Sequence, residues 1–261
     1  MGDGAAPRAL LLDLDGTLYT DAGPIPGAVE ALGELQRRGV PLRFVTNTTR
    51  RSRRLLAGRL RGYGFAAEPA EIVTAVMSGV ALLEARGWKR VAAFVAPDTL
   101  EEFAAFDLAS AHPEAVVVGD LGDLWSFDRL NRAFLHLMDG AALIALQRDR
   151  YWLRGDGLAL DAGPFVAALE YATRKDAIVC GKPSAEFYRA ALASLGATAH
   201  QQATGVVMVG DDLWGDVQGA QHAGLGAWMV RTGKYRADVV AQSGIVPDRV
   251  IDSVAELPSL I

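Results

Sequence analysis

Short apolar runs rich in β-branched residues alternate along this chain with longer stretches in which apolar residues recur every three or four positions. That alternation predicts parallel strands joined by crossover helices, an α/β fold. Residues 9–14 read as a first buried strand. Val29, Leu32 and Leu35 then fall three apart, on one face of a helix over 27–38 that Gly39 ends. Residues 41–46 form a second buried strand, and 52–64 an amphipathic helix heavy in arginine. Those arginines read as a solvated face, with attraction of an anionic substrate as the other reading.

A second strand–helix pattern begins near Met77, with strands over 91–95, 115–118 and 143–147 and a helix over 127–138. Residues 151–160 read as a hairpin turning at Gly155-Asp156-Gly157, and Gly163-Pro164 starts a helix through Tyr171. After a strand over 178–180 the first pattern resumes: Gly181-Lys182-Pro183 opens a helix over 184–195, and 206–209 is another all-apolar strand. The expected organisation is therefore a discontinuous core, 1–76 and 180–261, interrupted by an inserted α/β domain over 77–179. There is no repeat of fixed period and no low-complexity tract, which excludes solenoids and long disordered linkers.

Composition narrows the function classes. With 261 residues and 51% hydrophobic content the chain is large enough for two domains. A net charge of −5 leaves no broad basic footprint for nucleic acid. No run of eighteen apolar residues is present, so no membrane span is expected. Cys180 is the single cysteine, which rules out an internal disulfide and fits a cytoplasmic protein.

The strongest local signal is Asp13-Leu14-Asp15-Gly16-Thr17-Leu18, where the first strand runs out into a loop. Ligands on open α/β sheets bind beyond the carboxyl ends of the strands. Residues two apart on a strand project to one side, so Asp13 and Asp15 are expected to face one site, although a pair of turn caps is the plainer alternative. A further acidic strand end follows at Gly210-Asp211-Asp212, with Asp216 beyond it. Several carboxylates in one crevice require a cation, and oxygen-only ligands select Mg²⁺. Asp212 reads best as a helix cap. Thr46 and Asn47 close the second strand with groups that hydrogen-bond phosphoryl oxygens, or simply cap a turn.

A phosphate dianion brought to about 3.5 Å from Asp13 meets roughly 9 kcal/mol of repulsion at an effective dielectric of 20. Mg²⁺ held by Asp13, the Asp15 main-chain carbonyl and Asp211, with Lys182 as a second cation, would offset it. Alone, Gly181-Lys182-Pro183 could equally be an exposed turn.

Taken together, Asp13-Leu14-Asp15-Gly16-Thr17, Phe44-Val45-Thr46-Asn47, Gly181-Lys182-Pro183 and Gly210-Asp211-Asp212-Leu213-Trp214-Gly215-Asp216 resemble the four motifs of haloacid dehalogenase-superfamily phosphatases. The resemblance is nearest to the branch of phospholysine phosphohistidine inorganic pyrophosphate phosphatases and their uncharacterised relatives, through the segments 157–165, 168–172 and 230–235. It implies a Rossmann-like core with a parallel sheet and an inserted cap, acting on a small phosphorylated substrate. It further implies Asp13 as nucleophile, Asp15 as acid and base, and Thr46 and Asn47 on the phosphoryl oxygens. Lys182 would balance charge, Asp216 would orient the metal shell, and the cap would form a homodimer. Asp161 in the cap is open to two readings, contact with the leaving group or hairpin packing. A phosphoacceptor of receiver type, a scaffold that has lost its chemistry and a phosphotransferase are the competing classes. Receivers are about half this length, and Asp13, Asp15, Lys182 and Asp211 are all retained, which favours hydrolysis.

Overall fold

The computed structural model describes residues 6–154, 157–196 and 203–261. In chain order its elements begin with β1 (Ala9–Asp13), β2 (Tyr19–Thr20), β3 (Gly23–Pro24), α1 (Ala28–Arg37), β4 (Leu42–Thr46), α2 (Arg53–Gly62), β5 (Ile72–Thr74) and α3 (Ala75–Ala85). There follow β6 (Val91–Phe94), β7 (Ala115–Val118), α4 (Phe127–Met138), β8 (Ala142–Ala145), β9 (Tyr151–Arg154), β10 (Gly157–Leu160), α5 (Ala162–Thr173) and β11 (Ile178–Val179). The chain continues with α6 (Ala185–Ser194), β12 (Val206–Gly210), β13 (Gly226–Val230), α7 (Ala237–Ser243) and β14 (Arg249–Ile251), and a short helix, Leu257–Leu260, follows. The expected hairpin is β9–β10, paired antiparallel with Leu158 opposite Leu153; its Gly155-Asp156 turn lies outside the described residues.

Two compact units emerge, Met1–Thr46 with Arg53–Val73 and Phe187–Ile261, and Asn47–Ser52 with Thr74–Glu186. The second unit is wider than the inserted stretch expected from sequence, because hydrogen bonds tie 47–52 into it. Asn47 Oδ1 accepts from the Lys182 N–H at 2.6 Å, and Asn47 Nδ2 donates to the Lys182 carbonyl at 3.1 Å. The Asp120 N–H donates to Thr49 Oγ1 at 3.0 Å.

The first unit carries a sheet in the order β14-β13-β12-β1-β4-β5. The pairs from β14 to β4 run parallel. Its two faces are sorted by the strand alternation. Leu10, Leu12 and Phe44 pack with Leu32, Leu35 and Leu60 of α1 and α2. Leu11, Val45 and Met208 pack with Phe187, Ala191 and Leu192 of α6. Leu10, Leu11 and Leu12 are fully buried, and each contributes about 2 kcal/mol by leaving water. A strand buried on both faces must be apolar at every position, which is why β1 is a continuous run.

The arginine-rich helix α2 is more than a plain solvated face: Arg59 lies over the rings of Tyr19 and Tyr63, 4.5 and 5.6 Å from their centroids, and Arg61 Nη1 donates to the Ala67 carbonyl at 2.9 Å.

The second unit has its own parallel sheet, in the order β11-β8-β7-β6. Val117 and Ile144 face Val76 and Leu83 of α3, while Val116 and Val118 face Leu137 of α4 and Val166 of α5. No described helix is long and apolar enough to cross a membrane.

Candidate active site

The carboxyl end of β1 and the segment after β12 bring three of the expected acids together. Asp13, Asp211 and Asp216 are buried, and one carboxylate oxygen from each lies within 4.8 Å of the others. β1 and β12 are adjacent, with Leu12 opposite Val209, so their acidic ends emerge side by side. Asp216 reaches the cluster because Leu213–Gln218 is a wide π-helical turn, with Val217 N–H donating to the Asp212 carbonyl at 3.2 Å. Such turns add a residue per turn and are used where a side chain must be re-aimed.

Each acid is held by donors around it. The Asp211 Oδ2 accepts from the Lys234 main-chain N–H at 2.7 Å. Asp216 Oδ2 accepts from the Asp212 N–H at 3.1 Å. The Thr17 hydroxyl approaches Asp13 Oδ2 at 3.5 Å. Gly16 and Gly233, both at positive φ, press on Asp211 from two loops, and a methyl group on either would overlap its carboxylate. Both positions therefore demand glycine for backbone conformation and for space. Thr232 locks the two loops together, its hydroxyl donating to the Gly16 carbonyl at 2.5 Å.

Asp15 is not one of the three. β1 stops at Asp13, so the two-residue alternation that placed both acids on one side ends there, and the chain turns through Gly16 with its N–H donating to the Tyr19 carbonyl at 2.7 Å. Asp15 is exposed. Its charge is nonetheless felt nearby: burial, then Asp15 and Asp13, push the Tyr19 phenol well above its ordinary range.

Asp212 behaves as the helix cap expected of it. Its Oδ1 accepts from the N–H groups of Trp214 and Gly215 at 3.0 and 2.8 Å, and its Oδ2 pairs with Lys234 Nζ at 2.7 Å. Partial burial works against the Lys234 ammonium, but Asp212, Asp211 and Asp13 outweigh it and push its pKa up to about 12. Lys234 and Gly233 were not singled out as site residues by sequence reasoning. They lie more than twenty positions beyond Asp211, and nothing local says that their loop folds back upon it.

Thr46, at the end of β4, is buried in the first unit. Asn47 and Lys182 belong to the second unit, where they are bonded to each other. Cys180 is buried, and burial pushes its thiol up to about 12, which makes it an inert filler.

The donor set fits a hard divalent cation. Three buried carboxylates within 4.8 Å repel one another by about 3 kcal/mol per pair at an effective dielectric of 20, and oxygen-only ligands are those Mg²⁺ takes.

Comparison with known proteins decides the lineage. Residues 10–109 match the family described as haloacid dehalogenase-like hydrolase, and 179–257 match the related HAD-like hydrolase family. Over 261 residues the chain is 39% identical to the phospholysine phosphohistidine inorganic pyrophosphate phosphatase of Rattus norvegicus, covering 97% of this chain and 94% of that protein. The chain belongs to the haloacid dehalogenase-like hydrolases.

Within that family it is also 44% identical, over 89% of its length and 87% of the relative's, to the human haloacid dehalogenase-like hydrolase domain-containing protein 2. Among solved structures it resembles the p-nitrophenyl phosphatase of Archaeoglobus fulgidus, at 27% identity and a TM-score of 0.88, covering 98% of this chain and all of that one. NagD from E. coli K-12 is similar at 27% identity and a TM-score of 0.87, with 97% and 98% covered. The expected α/β fold, a Rossmann-like core with a parallel sheet and an inserted cap, is thus the observed one, and the chain is an enzyme of this hydrolase family.

Proposed function

We propose that this enzyme is a Mg²⁺-dependent phosphatase that hydrolyses a small phosphorylated compound, a phosphomonoester or a pyrophosphate or phosphoamide, through an aspartyl-phosphate on Asp13. The observation that carries this reading is the convergence of buried Asp13, Asp211 and Asp216 within 4.8 Å at the ends of neighbouring parallel strands. The relatives named as phosphatases support it.

Asp13 and Asp211 would hold Mg²⁺ together with the Asp15 main-chain carbonyl, and Asp216 would fix the shell around it. The ion supplies charge neutralisation for the phosphoryl oxygens. A carboxylate oxygen of Asp13 attacks phosphorus, and the bond to the leaving oxygen breaks as that oxygen takes a proton from Asp15. Asp15, now a carboxylate, removes a proton from water, whose oxygen attacks phosphorus and breaks the bond to Asp13. Thr46 and Asn47 are assigned to the phosphoryl oxygens, and Lys182 to balancing the negative charge of Asp13 and the substrate.

The reading is tested with p-nitrophenyl phosphate: turnover should require Mg²⁺ and stop with EDTA, and Asp13→Asn should lower kcat by about 1,000-fold or more. Metal-independent turnover, or activity retained in that variant, overturns it.

We assign the enzyme to the cytoplasm, supported by its single buried cysteine, and to a homodimer through the second unit. Support for the dimer comes from apolar side chains left in water there. Phe127 and Met138 of α4 are 80% and 60% exposed, and Leu158 and Leu160 of β10 are 73% and 60% exposed. Sedimentation of Leu158→Glu as a monomer, with the wild type a dimer, is the expected result.

A further inference from the structure

Asp15 is the acid and base of the proposed hydrolysis, yet β1 ends before it and its side chain is exposed. Its placement must come from the segment that follows. Residues 14–19 close on themselves: the Leu18 and Tyr19 N–H groups donate to the Leu14 carbonyl at 2.9 and 3.3 Å, and the Gly16 N–H donates to the Tyr19 carbonyl at 2.7 Å. An isolated bridge joins Asp15 to Tyr19 as well. The main chain of Asp15 is therefore placed by Tyr19.

Tyr19 in turn is held from α2. Its ring is buried and lies 5.2 Å from the Tyr63 ring, tilted at 45°. The Arg59 guanidinium covers both rings, and its Nε and Nη2 each approach the Tyr63 hydroxyl oxygen at 3.4 Å. A planar cation over aromatic faces is an ordered arrangement, of which a lysine ammonium reproduces the charge but not the shape. Asp15, Tyr19, Arg59 and Tyr63 all belong to the first unit.

Arg59 also acts on Asp15 through space. Partial burial works against the guanidinium, but Tyr63, Tyr19 and Asp15 outweigh it and raise its pKa. That attraction is mutual, so a cation fixed over Tyr19 narrows the range through which the exposed Asp15 carboxylate swings.

We propose that Arg59 is a positioning residue for Asp15, acting through Tyr19 and through its own charge, and that it extends the substrate range to phosphomonoesters whose leaving oxygen must be protonated as it departs. The proposal rests on the hydrolysis reading above, in which Asp15 supplies that proton. Two esters separate the roles. p-Nitrophenolate leaves without a proton, whereas phenol, with a pKa of about 10, leaves far better when protonated. The measurement is kcat/KM with Mg²⁺ on p-nitrophenyl phosphate and on phenyl phosphate, since it reports the steps up to departure of the leaving group.

Arg59→Met keeps an apolar cover on the rings and removes the charge. It should lower kcat/KM on phenyl phosphate about tenfold, part of the roughly 100-fold or more that a placed acid supplies, and on p-nitrophenyl phosphate less than about twofold. Arg59→Lys, which retains a cation, should fall between Arg59→Met and wild type. Tyr63→Phe, which removes only the hydroxyl that orients the guanidinium, should show the same selectivity at about threefold. Calorimetry on Arg59→Met should return the wild-type Mg²⁺ Kd, because Arg59 acts on Asp15 and not on the three clustered acids. An equal loss on both esters, which a general loosening of the fold would give, overturns the proposal. So does a raised Mg²⁺ Kd, or no loss in either Arg59→Met or Tyr63→Phe. A wild-type protein that hydrolyses neither ester overturns the hydrolysis reading itself, and the proposal falls with it.

Discussion

At the carboxyl end of the first sheet, Asp13, Asp211 and Asp216 crowd within 4.8 Å of one another. At the carboxyl end of the second, Asp120 follows β7 and Asp161 precedes α5, and both are equally buried, at 4% and 8% exposed. The two regions manage the same problem differently. Asp120 has a cation of its own, with Arg50 Nη1 on its Oδ2 at 3.0 Å and the Gly122 N–H on its Oδ1 at 2.9 Å. Asp161 caps α5 through the Ala162 N–H at 2.7 Å and accepts a hydrogen bond from Gln147 Nε2. Burial nonetheless pushes its pKa up to about 6. In the second unit Asp120 is settled by a cation, and Asp161, with the charges of Asp120 and Asp149 adding to burial, by a raised pKa. In the first the acids converge, with glycines pressed against Asp211 and N–H donors on Asp211 and Asp216, an arrangement that fits a divalent ion. Burial alone does not set the two regions apart; convergence does.

The sharpest way to break the comparison is to spoil that convergence without removing an acid. Gly233→Ala puts a methyl group on Asp211 Oδ2 at a position of positive φ. Asp211 must then rotate away from Asp13 and Asp216, and the Mg²⁺ Kd measured by calorimetry should rise about 100-fold, at the upper end of what disturbing a metal ligand's support costs. Wild-type Mg²⁺ affinity in this variant would mean that Asp211 does not serve the ion.

How much of this could be read from the chain follows from the same contrast. Asp13 and Asp211 were legible because each follows a continuous apolar run, and a strand buried on both faces announces where its end must be. Strands β13 and β14 were harder: Gly226–Val230 opens on Gly and Ala, which carry little strand preference, and Arg249–Ile251 is a three-residue edge. Helix α3 is apolar nearly all round, Ala75 to Ala85, so it shows no face by which to recognise it. Asp15 lies two residues past Asp13, beyond the last residue of the strand, where period-two alternation no longer fixes which way a side chain points. The clamp by Gly233 and Lys234 is a tertiary contact between distant loops, which no local pattern encodes. Asp161 was legible as a cap-domain residue of two possible uses, and the structure gives it one definite role, as the N-cap of α5.

Asp161→Asn sharpens the comparison through pH. A carboxyl raised from 3.8 to about 6 on folding binds more protons folded than unfolded between those values, so stability falls as pH rises through that window and is flat above it. The asparagine keeps the Oδ1 acceptor for Ala162 and Gln147 but carries no charge. At pH 7.5 the variant should be more stable than wild type by about 1–3 kcal/mol in urea unfolding, and at pH 4 the gap should close. A variant less stable than wild type at both pH values would show that the charge is favourable where it sits.

The smallest effect concerns Asp120, whose ion pair is buried at one end and half-exposed at the other, the Arg50 side chain being 45% exposed. Solvent screening limits what the pair is worth, yet its loss leaves a buried carboxylate with the Gly122 N–H in place of a cation. Arg50 also lies 5.3 Å from the Trp152 ring centroid, so Arg50→Met preserves part of that packing while removing the charge. The expected cost is about 1–2 kcal/mol, below the range for fully buried pairs. Asp120→Asn added to Arg50→Met should recover about half of it, because the charge that had lost its partner is gone. A double-mutant cycle in urea measures the coupling, and strict additivity would mean that Asp120 is settled by its hydrogen bonds alone. In that case the second unit would manage its acids as the first does, by N–H donors, and the difference between the two regions would reduce to how closely the carboxylates are crowded.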